Sequence, residues 1–247
     1  MNLLDRSQPA FPPVHRALSD PNGLLAVGGE LTPEWLISAY RQGIFPWFDD
    51  DSDPVLWWSP DPRTVIYPDQ LKVSRSLAKR LRNGGFEVTF DTCFTDVIRA
   101  CAEPRPDVEG RLSGTWITPA MIAAYEHLHE LGLAHSVEAW LQNENGERQL
   151  AGGLYGVSLG RMFFGESMFA RARDGSKVAL YYLCQLALAW DFKLIDCQVG
   201  NPHLHSLGAI DLPRESFIRL VEENAHQPTH RGAWTDLLEH HSAMTGS

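Results

Sequence analysis

Asp196 and Gln198 stand two residues apart in Lys193-Leu-Ile-Asp-Cys-Gln-Val199, the most informative run in the chain. Leu194, Ile195 and Val199 give this run the apolar, β-rich character of a buried strand. Side chains two apart on a strand share a face, roughly 7 Å apart at Cα, so a carboxylate and a carboxamide are expected to project together. Burying such groups without partners is costly. They either tie down a neighbouring loop or helix end, or they serve a site. Sixteen residues follow Pro202 before the next apolar helix pattern is under way, so the strand is expected to end at an open rim, which favours a site.

Two other groups of residues suggest a binding function. Trp47, Trp57, Trp58 and Trp116 lie beside Gly, Pro or polar residues, where a flat ring serves well as a stacking platform. Trp35, Trp140 and Trp190 read instead as core. Between residues 70 and 85, Lys72, Arg75, Lys79, Arg80 and Arg82 occur with no acidic residue among them. Lys72, Arg75, Lys79 and Arg82 are spaced by 3, 4 and 3, which places them on one helical face. A solvated helix usually mixes signs, so a stripe of one sign in a chain of net charge −10 suggests a small surface for a shaped polyanion. The plainer alternative is a soluble basic face.

The elements that must position these residues fall into two parts, with a boundary near Ser59-Pro60-Asp61-Pro62. Residues 1–60 form a small N-terminal domain rich in Pro and Gly, with one helix capped by Thr32, opened by Pro33 and stopped by Gly43. Residues 61–247 alternate regularly. A helix over Ser74–Arg82 is followed by a strand near Phe86–Phe90, and a second helix opens at Thr118-Pro119 and runs to Gly132. Strands over His135–Leu141, Leu150–Ser158 and Arg161–Met168 form an antiparallel meander, with Asn145-Gly146 giving a type I′ hairpin signal. Ser176 then caps a helix to Trp190 that leads into the Asp196 strand. This order predicts an α+β (mixed α/β) fold, a mixed sheet covered by helices.

Composition excludes several classes. With 247 residues, 44% hydrophobic and 21% charged, the chain has an ordinary globular balance and no apolar run long enough for a membrane span. The N-terminus lacks the apolar stretch of a signal peptide, and Cys93, Cys101, Cys184 and Cys197 lack metal-type spacing, so reduced thiols in a cytoplasm are expected. The pairs His203/His205 and His240/His241 read as surface or tail residues, and no metal site or cofactor is expected.

Five runs together resemble one family. Gly-Ile-Phe-Pro-Trp-Phe (43–48), Leu-Trp-Trp-Ser-Pro-Asp-Pro-Arg (56–63), Gly-Thr-Trp-Ile-Thr (114–118), Phe-Gly-Glu-Ser-Met-Phe (164–169) and Leu-Ile-Asp-Cys-Gln-Val (194–199) resemble, in this order, those of bacterial leucyl/phenylalanyl-tRNA–protein transferases. The likeness runs from about Asn22 to about Pro213. It implies transfer of Leu or Phe from aminoacyl-tRNA to proteins with N-terminal Arg or Lys, marking them for degradation, and a catalytic domain similar to the acetyltransferase (GNAT-like) fold with helices on both faces of its sheet. The expected partners are the aminoacyl-tRNA and the acceptor protein, and the expected state is a monomer.

The reaction would be aminolysis of an activated ester, which asks for positioning of two substrates and not for a metal or a covalent intermediate. By resemblance Gln198 and Asp196 are catalytic. A carboxamide oxygen is very weakly basic, whereas an α-amine of pKa about 7.7–8.0 is already partly neutral at pH 7. Gln198 is therefore expected to orient the amine lone pair, with Asp196 fixing the amide and stabilising growing positive charge. The resemblance further implies that Glu166 holds the acceptor's N-terminus and that Asn201 contacts the ester region. Leu154, Phe163 and Ile195 would line the donor side-chain pocket, and Trp47 and Trp116 would pack against aminoacyl or adenosine parts. Leu154 stands where some relatives carry methionine, which leaves the choice among Leu, Phe and Met open. The main rival, a coenzyme A acetyltransferase, would carry a Gly-rich pyrophosphate turn, yet in Arg171-Ala-Arg-Asp-Gly-Ser176 neither arginine has Gly three residues on.

Overall fold

The computed structural model describes residues 2–106, 112–113 and 115–238; Gly114, His240 and His241 lie outside the described residues. In chain order the elements are β1 (Asn2–Leu4), β2 (Leu24–Gly28), α1 (Pro33–Tyr40), β3 (Phe45–Pro46), β4 (Leu56–Trp58), β5 (Arg63–Ile66), α2 (Arg75–Asn83), β6 (Glu87–Phe90), α3 (Phe94–Ala102), β7 (Arg105–Pro106) and β8 (Leu112–Ser113). Then follow α4 (Pro119–Glu130), β9 (Ala134–Gln142), β10 (Arg148–Leu159), β11 (Met162–Ala170), α5 (Gly175–Ala189), β12 (Leu194–Gln198), α6 (Pro202–Ser206), β13 (Ile210–Leu212) and α7 (Arg214–Asn224).

Strands β1-β2-β4-β3 form one sheet and β13-β5-β12-β11-β10-β9-β6 a second, seven-stranded one; β7 and β8 pair with each other. The meander β9–β10–β11 is antiparallel, and α5 carries the chain over to β12, which lies parallel to β11. The fold is thus a mixed α+β arrangement. Alternation along β10 divides the core. Tyr155 and Val157 pack with Val97, Ile98, Met121 and Leu128 of α3 and α4, while Leu154 joins Val178, Leu183 and Ala187 of α5 on the other face.

Capping chemistry explains the helix starts. Thr118 accepts a hydrogen bond from the Met121 N–H and Ser74 accepts one from the Leu77 N–H, each satisfying an otherwise orphaned donor. Pro at the first position of α1 and α4 fixes φ where no intrahelical donor is lost. Gly43, at φ +71°, turns the chain after α1 where a side chain would be strained.

The structure departs from the sequence reading at several places. Ser176 is not the cap of α5 but lies inside it: the helix begins at Gly175 and its N-cap is Asp174, in the left-handed region. A Cβ on Gly175 would lie 2.5 Å from the Ala151 carbonyl oxygen, so only glycine lets α5 approach β10 this closely. The β9–β10 turn is not type I′, which needs positive φ at both central residues. Of Asn145 and Gly146 only Gly146 (φ +79°) has it, and the Asn143 side chain accepts from the N–H groups of Asn145 and Glu147. Lys72 precedes α2 and lies off its helical face, because the chain there is held by the Lys72 N–H to Leu207 carbonyl bond. The stretch after Pro202 is not open loop: α6 fills it at once and β13 pairs with β5. Trp57 is no platform; it is wholly buried, stacks on Trp35 and donates from Nε1 to the Gly28 carbonyl.

Candidate active site

Two β-bulges build the site. Opposite β10, Tyr155 pairs with Ser167 and Gly156 with Gly165, which leaves Glu166 as the extra residue of β11. On β12, Asp196 pairs with Val65 and Gln198 with Thr64, which leaves Cys197 extra and sets Gln198 at φ +61°. A bulge re-aims side chains that an unbroken ladder would send elsewhere. Here the two bulges, on adjacent strands, bring Gln198 Nε2 to 2.7 Å from Glu166 Oε1.

The simple alternation expected for Asp196 and Gln198 is therefore broken. Asp196 does not fix the Gln198 carboxamide; its Oδ1 accepts from the Gln198 backbone N–H at 2.9 Å. Both carboxylate oxygens are held by Arg63, through Nε at 2.8 Å and Nη2 at 2.6 Å, and both side chains are fully buried. Arg63 is further wrapped by the rings of Phe45 and Phe217, at 4.7 and 4.6 Å, and donates to the Gly43 carbonyl. Asp196 thus shapes the backbone that presents Gln198 and has no face on the cavity.

Glu166 has a different environment. Tyr40 donates to Oε1 at 2.7 Å and Tyr125 to Oε2 at 2.9 Å, and the two tyrosine hydroxyls also bond each other. Burial raises the Glu166 carboxyl from the ordinary carboxylate range to about 7, against the opposing effect of the tyrosine hydrogen bonds. Burial, followed by the Glu166 charge, holds Tyr40 and Tyr125 well above the usual tyrosine range, so both stay donors.

Glu166 and Gln198 form part of the wall of a cavity of about 410 Å³. Leu154, Phe163 and Ile195 line it, as do Trp47, Trp116 and Asn201. Trp47 is 41% exposed, close to Trp58 at 5.6 Å between ring centroids. The Asn201 side chain also caps α6, accepting from the Leu204 N–H at 2.9 Å. Of the nine catalytic and substrate-binding candidates, all but Asp196 line this space. The basic residues lie elsewhere: Arg75, Lys79 and Arg82 are exposed on one face of α2, and Lys72 is exposed before it. Arg80 turns to the Phe86 ring, 5.9 Å from its centroid. Among the described residues no group of three or more His, Cys, Asp or Glu side chains is placed to hold a metal ion, and no helix is long and apolar enough to cross a membrane.

Sequence reasoning missed Tyr40, Tyr125 and Arg63. Arg63 closes the run Ser-Pro-Asp-Pro-Arg, and an arginine opening an apolar strand signals a buried partner. The two tyrosines carried no comparable signal, since each sits among apolar residues of a helix.

The sequence resembles known proteins over most of its length. The family described as leucyl/phenylalanyl-tRNA protein transferase matches residues 65–222, and the N-terminal domain of the same description matches residues 29–61. The leucyl/phenylalanyl-tRNA–protein transferase of Nitrosospira multiformis is 57% identical over 88% of this chain and 89% of its own. That of Azoarcus sp. is 58% identical over 89% of this chain and 88% of its own. A solved structure, L-PGS from Bacillus licheniformis, aligns at TM-score 0.37 and 11% identity over 72% of this chain and 54% of that one, a likeness too slight to argue from. By sequence, over most of its length, this chain belongs to the leucyl/phenylalanyl-tRNA–protein transferase family.

Proposed function

We propose that the chain transfers leucine or phenylalanine, with methionine a further candidate donor, from aminoacyl-tRNA to the α-amine of proteins beginning with Arg or Lys, so marking them for degradation. One observation carries this beyond family membership: a single cavity joins an apolar slot of Leu154, Phe163 and Ile195 to the polar wall of Glu166 and Gln198. The slot suits an unbranched-Cβ apolar side chain, and the wall suits a cationic or hydrogen-bonding amine. The donor's side chain enters the slot, and Trp47 and Trp116 pack against its aminoacyl or adenosine parts. Because Gln198 Nε2 donates to Glu166, its Oε1 is free to accept from the incoming amine and to aim the lone pair at the ester carbon. Asp196 and Arg63 act as positioning residues behind it. Asn201 stands at the same rim, towards the ester.

Lys72, Arg75, Lys79, Arg80 and Arg82 contact the tRNA body, with Arg75, Lys79 and Arg82 making the exposed stripe. The ester is already activated, so the reaction draws on no cofactor. We further read residues 1–60 as a small domain that completes the donor site, residues 61–247 as an acetyltransferase-like catalytic domain, and the working form as a cytoplasmic monomer. A coenzyme A site at the start of α5 is disfavoured because Arg171-Ala-Arg-Asp-Gly-Ser176 lacks the Gly-rich pyrophosphate turn, and Asp174 there pairs with Lys177 at 3.0 Å. The test is incubation with leucyl-tRNA and an Arg-initiated peptide, without ATP or coenzyme A, followed by mass measurement. A peptide heavier by one leucine is expected; equal transfer to an Ala-initiated peptide, or acetylation from acetyl-coenzyme A, sinks the reading.

A further inference from the structure

Tyr40, Tyr125 and Glu166 form a closed ring of three contacts: hydroxyl to hydroxyl, Tyr40 to Oε1 and Tyr125 to Oε2. Each contact needs one proton, and the two phenols carry only two. A carboxylic acid at Glu166 supplies the third. With Glu166 ionised, one contact of the ring lacks its proton, and a carboxylate has about four lone-pair sites of which three are filled, by Tyr40, Tyr125 and Gln198. The ring is therefore built to gain one proton, and the side chain that gains it stands in the cavity wall beside the group that orients the amine.

Resting on the family reading, we propose that Glu166, with Tyr40 and Tyr125, is the acceptor of the proton that the α-ammonium group must lose before it can attack. The acceptor protein enters as R–NH3+. One proton passes to Glu166, leaving a neutral amine held by Gln198 Oε1. The amine nitrogen forms the C–N bond at the ester carbon, the C–O bond to the tRNA ribose breaks, and the nitrogen's surplus proton ends on the leaving ribose oxygen. Glu166 later releases its own proton to water. The groups facing Glu166 fit this task. Tyr40 comes from α1, Tyr125 from α4, Tyr155 from β10, Arg63 from β5 and Asp196 from β12. The charges of Arg63 and Asp196 cancel in their own pair, so no bare cation holds Glu166 ionised. A carboxyl raised to about 7 by burial lies just below the amine's range, so the transfer is close to balanced.

The test is the pH profile of single-turnover transfer to an Arg-initiated peptide, with donor hydrolysis measured in parallel. For the wild type the rate rises with a midpoint near 7. Glu166→Gln is expected to lose about tenfold at pH 7 but to recover to within about twofold by pH 9, where the amine is neutral without help. Tyr40→Phe and Tyr125→Phe each remove a donor to the ionised carboxylate, so the wild-type limb should move upward by roughly half a unit or more. A Glu166→Gln loss of equal size at every pH, in a variant with native circular dichroism, overturns the proposal in favour of simple acceptor binding. A Glu166→Gln variant with the wild-type rate and profile overturns it too. Absence of transfer by the wild type at every pH defeats the underlying family reading, a separate outcome.

Discussion

Asp196 and Glu166 are two buried carboxylates on adjacent strands, and they are solvated in opposite ways. Asp196 has a guanidinium on both oxygens and a backbone N–H, so its charge is compensated inside the protein. Glu166 has two phenols and an amide, which stabilise a charge without cancelling it. The first arrangement fixes a shape and the second permits a change of protonation. The fully paired group lies behind the cavity wall and the adaptable one lies in it, which on the proposed reading separates the chemistry from the scaffold that aims it.

The comparison breaks most visibly if the ion pair is cut. Asp196→Ala leaves the Arg63 charge buried and alone, which should cost about 3–5 kcal/mol of stability by urea unfolding. Replacing both partners, as Arg63→Met with Asp196→Leu, should return much of that stability while activity stays low; a double variant as unstable as the single one would show that the pair is not what was removed.

Gln198 tests the wall itself. Gln198→Ala should lower turnover at least about tenfold, a barrier change of roughly 1.4 kcal/mol, with stability little altered because its left-handed backbone is strained for any side chain but glycine. Gln198→Glu should retain measurable activity with a displaced pH profile, since orienting an amine does not require an amide. Full activity in the alanine variant would make the residue structural.

Glu166 gives a smaller, signed effect on stability. Its carboxyl is raised in the folded protein from an ordinary value near 4.5 to about 7, so its contribution is fully present below 4.5 and is lost as pH rises through 7. Glu166→Gln cannot ionise. It should therefore melt above the wild type at pH 8, by roughly 2–4 °C for each kcal/mol of buried charge removed, with the gap closing towards pH 4.5. A gap independent of pH would remove the titration argument.

The gentlest effect concerns α2, far from either carboxylate. Arg75→Ala, Lys79→Ala and Arg82→Ala together should weaken whole aminoacyl-tRNA and flatten the fall of affinity with salt. An amino acid esterified to adenosine alone should react almost unchanged, being too short to reach the stripe. Equal loss with the short donor would assign the helix to supporting the site.

Much of the scaffold was legible in the sequence because local chemistry agrees with it. Thr32-Pro33, Ser74 and Thr118-Pro119 mark helix starts, and the Gly-punctuated alternation from His135 to Met168 marks the meander. Helix α3 was not read, although Phe94, Val97, Ile98 and Cys101 have amphipathic spacing. Eight of the nine candidate residues share one cavity, but the geometry that brings them together was not legible. A period of two presumes an unbroken ladder, and the site exists because the ladder slips at Glu166 and at Cys197. Tyr40 and Tyr125 were hidden for another reason: a helix reveals which face it buries, not which distant oxygen a buried hydroxyl will meet.

The ring that holds Glu166 also sets a timetable. Tyr40 waits 126 residues for its carboxylate, and Arg63 waits 133 for Asp196. Synthesis proceeds from the N-terminus, so the first sheet and the basic helix emerge long before β12 closes the site. A growing chain that has passed α2 carries Tyr40 and Trp47 but neither Glu166 nor Gln198. The wall formed by Glu166 and Gln198 is complete only once about four-fifths of the polypeptide exists, so on the proposed reading activity comes late in synthesis.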